Sequence, residues 1–327
     1  MNKIITKIFN LVKNLRRLPG VSDAMDNYSA QLARQYEQLR ASCEQLGREN
    51  EETKILMGKI LAGRNKSGVN YLQDAEFKVF SQWGDDGIIQ YLINQVRPPV
   101  ETFIEFGVEN YKESNTRFLL LNNNWKGLVL DCSEENIRSI RSQPLYWKHD
   151  ITAVPAMVSA ENINRLFADA GFTGETGLLH IDIDGNDYWV WKAINVIQPV
   201  IVIMEYNSVL GADRAITIPY DPSFNRTKAH HTNLYFGASL PALCKLAKEK
   251  GYSFVGSNSN GNNAYFVRND KIGNIKVLSP QEGFVYSKFR ESRDDQGNIT
   301  FISGKERLAA IKGSKVINVV TNKEEDL

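Results

Sequence analysis

The densest run of chemistry-bearing side chains lies between His180 and Asp187, which reads HIDIDGND. Strand alternation places His180, Asp182 and Asp184 on one side and Ile181 and Ile183 on the other. Asp187 follows Gly185 by two residues, at the start of the next helix. Carboxylates this close repel one another unless a cation or hydrogen-bond donors separate them, or one keeps its proton. Three readings follow. Asp182 and Asp184, with Glu205, can ligate a hard divalent cation such as Mg2+ through oxygen. They can orient an acceptor hydroxyl and take its proton. Or Asp187 caps the helix while the others bond backbone.

Further candidates surround this run. Glu205 and Asn207 end the next apolar segment. The loop from Tyr220 to Tyr235 carries Arg226, Lys228, His230 and His231. A histidine near neutrality can deprotonate a hydroxyl, so His230 and His231 join Asp182 and Asp184 as catalytic candidates. A His-His pair in a polar loop is otherwise solvent-exposed. Lys288, Arg290, Arg293 and Arg307 form a basic tail suited to phosphate or carboxylate. The alternative is a solvated face paired with Glu291, Asp294 and Asp295.

These residues need a frame. Helical periodicity covers 84–97, 116–122, 133–142 (Ser133 as N-cap), 161–171, 188–194 and 239–251. Short apolar strands read at 102–107, 127–131, 178–185, 200–207, 252–257 and 263–268, with a weaker one ending near His149-Asp150. Alternating strands and helices predict an α/β domain, a doubly wound and mostly parallel sheet. SNSNGN between the last two strands is too short for a crossover, so they pair antiparallel. Ligands of such a sheet sit beyond the carboxyl ends of its strands.

Several ordered pieces resemble the FkbM-like branch of class I S-adenosylmethionine-dependent methyltransferases: FIEFGVENYKESNT, NWKGLVLDCSEENI, LLHIDIDGNDYWVW and GASLPALCKLAKEKGYSFVG with NNAYFVRN. The resemblance spans about residues 75–270. It implies a Rossmann-like sheet closed by an antiparallel hairpin, S-adenosylmethionine as cofactor, and methyl transfer to oxygen of a small hydroxylated acceptor molecule; the basic arm and heptad helix described below add, by association, a membrane-proximal sugar or glycan-related hydroxyl. It implies cofactor contacts from Glu105, Phe106, Gly107, Glu109, Asp131, Asp150 and His180. Asp131 would accept from the ribose hydroxyls, and also suits the helix that begins after it. Asp150 would read the adenine amino group. Glu109, Asn110 and Tyr111 stand where the family carries further glycines, which puts the glycine fingerprint in doubt. Two other classes compete: a binding or scaffold protein on the same fold, and a metal-dependent sugar-modifying enzyme without a methyl donor.

Composition bounds the rest. Hydrophobic residues are 42% and charged residues 24% of 327, which is globular. Lys+Arg is 39 against Asp+Glu 38, which leaves no field for general nucleic-acid binding. Cys43, Cys132 and Cys244 form no C-x-x-C pair and favour a reducing, cytoplasmic setting. No apolar run approaches a transmembrane span or a signal-peptide core. Residues 1–20 read as a basic amphipathic helix suited to the inner, anionic face of a membrane, or to packing on protein. Residues 21–66 read as a coiled-coil oligomerisation helix with an imperfect seam, or as one long amphipathic helix leaning on the domain. Met25, Leu32, Leu39, Leu46, Thr53 and Ile60 repeat every seven residues, interleaved with Ser29, Tyr36, Cys43, Asn50 and Met57. The pattern predicts a homo-oligomer, hinged by GRNKSG to the 67–270 domain. Residues 271–327 are expected to complete the substrate side.

Overall fold

The computed structural model describes residues 20–64 and 68–327. The basic segment expected to contact a membrane therefore lies outside the described residues. Helix α1 (Val21–Arg64) is continuous. The chain divides into two compact units, Met1–Leu56 and Met57–Leu327. Among its described residues the first of these is helix from Val21 onward. Among the described residues no helix is long and apolar enough to cross a membrane.

The second unit is built on a seven-stranded sheet. Its parallel strands are β1 (Thr102–Phe106), β2 (Lys126–Asp131), β3 (Ile151–Pro155), β4 (Gly174–Ile181) and β5 (Ile197–Glu205). After the two-residue β6 (Ile216–Thr217) come β7 (Tyr252–Ser257) and β8 (Asn263–Arg268), which pair antiparallel, with β8 antiparallel to β5. The order is β3-β2-β1-β4-β5-β8-β7. This is the Rossmann-like sheet with a closing hairpin that the sequence predicts. β9 (Lys315–Asn318) and β10 (Lys323–Asp326) join β6 in a small antiparallel sheet, order β10-β9-β6.

Alternating residues feed two apolar layers. Ile104, Leu130, Leu179, Ile181, Val202 and Met204 face one layer; Phe103, Val129, Leu178, Ile201, Ile203 and Tyr265 face the other. Both faces are buried because helices cover both, so the strands read as continuous apolar runs. The helices used below are α2 (Asp85–Val96), α3 (Arg117–Asn123), α4 (Glu134–Ser142), α5 (Leu145–Lys148), α6 (Ile163–Asp169), α7 (Asp187–Ala193) and α8 (Arg226–Ala229). Ser133 caps α4 as expected, its hydroxyl accepting from the Asn136 amide.

Two expectations need correction. The strand placed up to His149-Asp150 is the short helix α5, and β3 starts after it at Ile151. The fourth strand ends at Ile181 rather than running to Gly185. Asp182 and Asp184 therefore belong to a turn, and Asp184 takes φ +56°. Alternation no longer fixes their sides there.

Candidate active site

The strand ends open into a cavity of about 780 Å³. Its lining takes residues from the ends of β1, β2, β4 and β5, from the β7–β8 turn, from the loop holding α8, and from the tail at Phe289 and Glu291. Facing each other across the floor are Glu105 and His180, in register on β1 and β4.

Glu105 is saturated. Oε1 accepts from the Asn115 amide at 3.0 Å and pairs with His180 Nδ1 at 2.9 Å. Oε2 accepts from Ser114 Oγ at 2.5 Å, from Thr116 Oγ1 and from the Thr116 amide at 3.2 Å. Burial pushes its pKa up, but the His180 bond and charge and the two hydroxyls hold it below the ordinary value. For His180, burial works against the charged ring, and Glu105 raises the pKa overall. The Asn115 side chain meets its Nε2 at 3.3 Å. Glu105 and His180 thus line the cavity with their polar atoms already engaged, and they lock the 114–116 loop to the sheet.

Gly107 takes φ +69°, and a Cβ there would lie 1.9 Å from the Asp182 carbonyl oxygen. Only glycine lets the β1 loop approach the turn after β4 this closely. The next residues turn with it: Glu109 has φ +47° and Tyr111 φ +62°. Left-handed non-glycine residues thus do the turning where further glycines would be expected. Asp131 accepts from the Glu109 amide (2.8 Å) at Oδ2, and from the Ser133 amide (2.8 Å) and Asn136 Nδ2 (3.0 Å) at Oδ1. A carboxylate offers about four lone-pair directions, so Oδ2 retains one.

The aspartates after β4 separate into distinct roles. Asp187 is fully buried and accepts from the Ile183 and Gly185 amides, both at 2.9 Å. It shapes the turn, and burial pushes its pKa up to about 6. Asp184 points to Arg226, Oδ1 to Nη1 at 2.5 Å, with its side chain 59% exposed. Asp182 has no hydrogen bond among the described residues. Burial and then the Asp184 charge push it up to about 7. Glu205 is buried, its Oε2 lacks a partner, and burial, Asp182 and Asp184 raise its pKa well above the ordinary value.

Arg226 is the residue that single-position reading undervalued. Its Nε donates to the Asn233 carbonyl at 2.8 Å, and its guanidinium stacks on Phe236 at 3.8 Å. The loop is seated by Phe224, whose ring fills the space a Cβ on Gly185 would need, at 2.2 Å. Asn262 and Asn263 were also missed. In sequence SNSNGN reads as a turn, which hides its contribution to the wall.

Four candidates stand elsewhere. Phe106 is buried against Phe167 and does not line the cavity. Asp150 precedes β3, at the amino end of the sheet, and pairs loosely with Lys126 at 3.8 Å. His230 and His231 stack on each other at 4.6 Å outside the lining, and His230 bonds Thr232 Oγ1 at 2.8 Å. Burial and then His231 lower the His230 pKa. The cation set also falls apart: among the described residues no group of three or more His, Cys, Asp or Glu has metal-holding geometry. Asp184 answers Arg226 instead of converging with Asp182 and Glu205.

No protein-family model matches the chain, and no curated protein sequence does. Among solved structures it is similar to an O-methyltransferase from Bacillus cereus in complex with SAH, at 13% identity over 66% of this chain and 91% of that one, with TM-score 0.37. It is similar to an S-adenosylmethionine-dependent methyltransferase from Clostridium acetobutylicum, at 10% identity over 54% and 87%, with TM-score 0.36. It is also similar to the DszA carbon methyltransferase, at 12% identity and TM-score 0.36 over 58% of this chain, and spans 54% of that one.

Proposed function

We propose that the protein is an S-adenosylmethionine-dependent methyltransferase acting on a hydroxyl of a sugar or glycan-related acceptor. The observation that carries this is the sign of the cavity at the strand ends. Glu109, Glu113, Asp131, Asp184 and Glu291 line it against the single guanidinium of Arg226, before Asp182 and Glu205 are counted. Such a lining favours a cationic ligand and disfavours a phosphate-rich one. S-adenosylmethionine carries a sulfonium and an ammonium, and it supplies an electrophilic methyl group when bound.

The residues present fit that cofactor. Asp131 has a free lone-pair direction for one ribose hydroxyl. Gly107 and Glu109 form the loop beside it, and the cavity is ample for a ligand of this size. Asp182 is the group suited to take the acceptor's proton: it has no protein partner among the described residues, and its pKa near 7 is matched to neutral pH. Arg226 holds Asp184 by an ion pair, and Asp187 fixes the turn that carries both. Glu105 and His180 keep the floor rigid. Protein groups therefore perform binding, orientation and proton acceptance.

Calorimetric titration with S-adenosylmethionine, with and without Mg2+, tests the reading. Binding independent of Mg2+ is expected. Asp131→Ala is expected to weaken it by about 1–3 kcal/mol, the range for bonds to a charged group. Absence of binding to the wild-type protein overturns the proposal.

A further inference from the structure

The cavity wall opposite Asp131 is made by β5 and β8, and its polar groups are not explained by the roles above. Glu205 and Asn263 are direct partners across this antiparallel pair. Opposed residues project to the same face with Cβ atoms about 4.5–5.5 Å apart. Glu205 is 8% exposed and Asn263 3%. Each carries a buried oxygen without a hydrogen-bond partner, Glu205 Oε2 and Asn263 Oδ1. Oxygens on two directly opposed residues cannot satisfy one another while both are acceptors only. A proton on the carboxyl turns the pair into one O–H···O bond and removes both vacancies.

The amide cannot escape by flipping. Asn263 Nδ2 donates to Asp85 Oδ1 at 2.9 Å, and the same oxygen accepts from Asn258 Nδ2 at 3.1 Å and from Tyr265 Oη. Asp85 opens α2, so the helix start and β8 together aim the Asn263 carbonyl. The charges facing Glu205 favour its neutral form. Burial opposes ionisation, as do Asp182, Asp184 and Asp187, while Arg226, already paired with Asp184, favours it. Asn262 stands beside the pair on the lining. Its Oδ1 is occupied by Asn258 Nδ2 (2.9 Å) and Asn260 Nδ2 (3.2 Å), so the amide presents Nδ2 as its remaining donor.

We propose that Glu205 stands in this wall as a neutral carboxylic acid donating to the Asn263 carbonyl, and that the pair, aimed by Asp85, positions an uncharged polyol acceptor. Glu205 Oε1 accepts one hydroxyl and Asn262 Nδ2 donates to a neighbouring one. Asp182 remains the group that takes the acceptor's proton, and an anionic acceptor is excluded by the acids around it. The acceptor half rests on the methyl-transfer reading; the protonated pair does not.

Full-chain protein with carboxyl-labelled glutamate separates the two. Carbon NMR at pH 7 is expected to show one protonated glutamate, lost in Glu205→Gln. Saturation-transfer NMR with methyl hexosides is expected to show binding that falls at least tenfold in Glu205→Ala. Glu205→Gln, which keeps a donor toward Asn263, is expected to recover most of it and to lose its fall at alkaline pH. A fully ionised glutamate pool at pH 7 overturns the pair. Wild-type protein that binds no hexoside, or Glu205→Ala that binds like wild type, overturns the acceptor role. Loss of S-adenosylmethionine binding with these results intact overturns methyl transfer alone.

Discussion

Asp182 and Asp187 lie five residues apart on one turn and are used in opposite ways. Asp187 gives both oxygens to backbone amides; Asp182 gives none to a donor among the described residues. A half-buried carboxyl without donors and beside a second carboxylate tends to hold its proton, so loss of water and then the Asp184 charge push Asp182 up to about 7. The sign of the linkage follows. The unfolded group titrates near 3.8 and the folded one near 7, so the folded state binds the extra proton between these values. Stability that is fully present below about pH 4 is lost as pH rises through 7. Asp182→Asn is expected to stabilise the fold at pH 8 by about 1–3 kcal/mol in urea denaturation, with little effect at pH 4. The same variant is expected to lower kcat by about 10²-fold or more, the span of a lost general base, with cofactor affinity nearly unchanged. Wild-type kcat is expected to rise as pH passes 7, since the ionised form is the base.

Elements decide which residues reach the cavity. Gly107 links β1 to the turn after β4 through a contact no other residue allows. Gly107→Ala is expected to cost about 2–4 kcal/mol by chemical denaturation, since it combines a steric clash with a left-handed backbone. It is expected to impair cofactor binding too, because the displaced loop carries Glu109, whose amide holds Asp131. Most of this architecture was legible in sequence. β1, β2, β5, β7 and β8 are apolar runs bounded by turn residues, and their ends fall within a few residues of expectation. Asp131, the aspartate run and Glu205 are legible as strand-end acids, and all line the cavity. The misses have physical causes. Alternation was extended past Ile181 into a turn organised by Asp187, so Asp184 was assigned the side of Asp182 although it turns to Arg226. Asp150 was credited to a strand end because α5 is only one turn long and leaves no periodicity. His230 and His231 have suitable chemistry, but tertiary packing of Phe224 and Arg226 brings an earlier part of that loop to the cavity. β6 has two residues and pairs with a strand about a hundred positions later, which no local pattern reveals.

The protein also carries a long helix whose sequence calls for a partner. Within 21–56, Leu32, Leu39 and Leu46 are 51–64% exposed, and Tyr36 at the interleaved position is 65% exposed. Single exposed leucines mean little, but exposure at every seventh residue forms one continuous apolar stripe. Pairing of two such stripes buries it, and Asn50 at a seam position favours a parallel, in-register pair because the two amides then meet. Cys43 occupies the same seam and is exposed, with its thiol free. In a parallel in-register dimer the two Cys43 side chains face each other across the twofold axis, a geometry that admits a disulfide, whereas an antiparallel pair sets them apart. Mild oxidation of the full chain is therefore expected to give a covalent dimer on a non-reducing gel. Cys43→Ser is expected to abolish that band while light scattering still reports a dimer, and Cys132→Ser, which alters a cavity-lining position outside the heptad pattern, is expected to leave the band intact. Asn50→Leu is expected to raise dimer stability in dilution experiments while broadening the distribution of oligomers, since a buried amide gives register at a cost in stability. A monomeric full-length protein at micromolar concentration removes the coiled coil; a dimer that resists oxidation at Cys43 makes the pairing antiparallel or out of register.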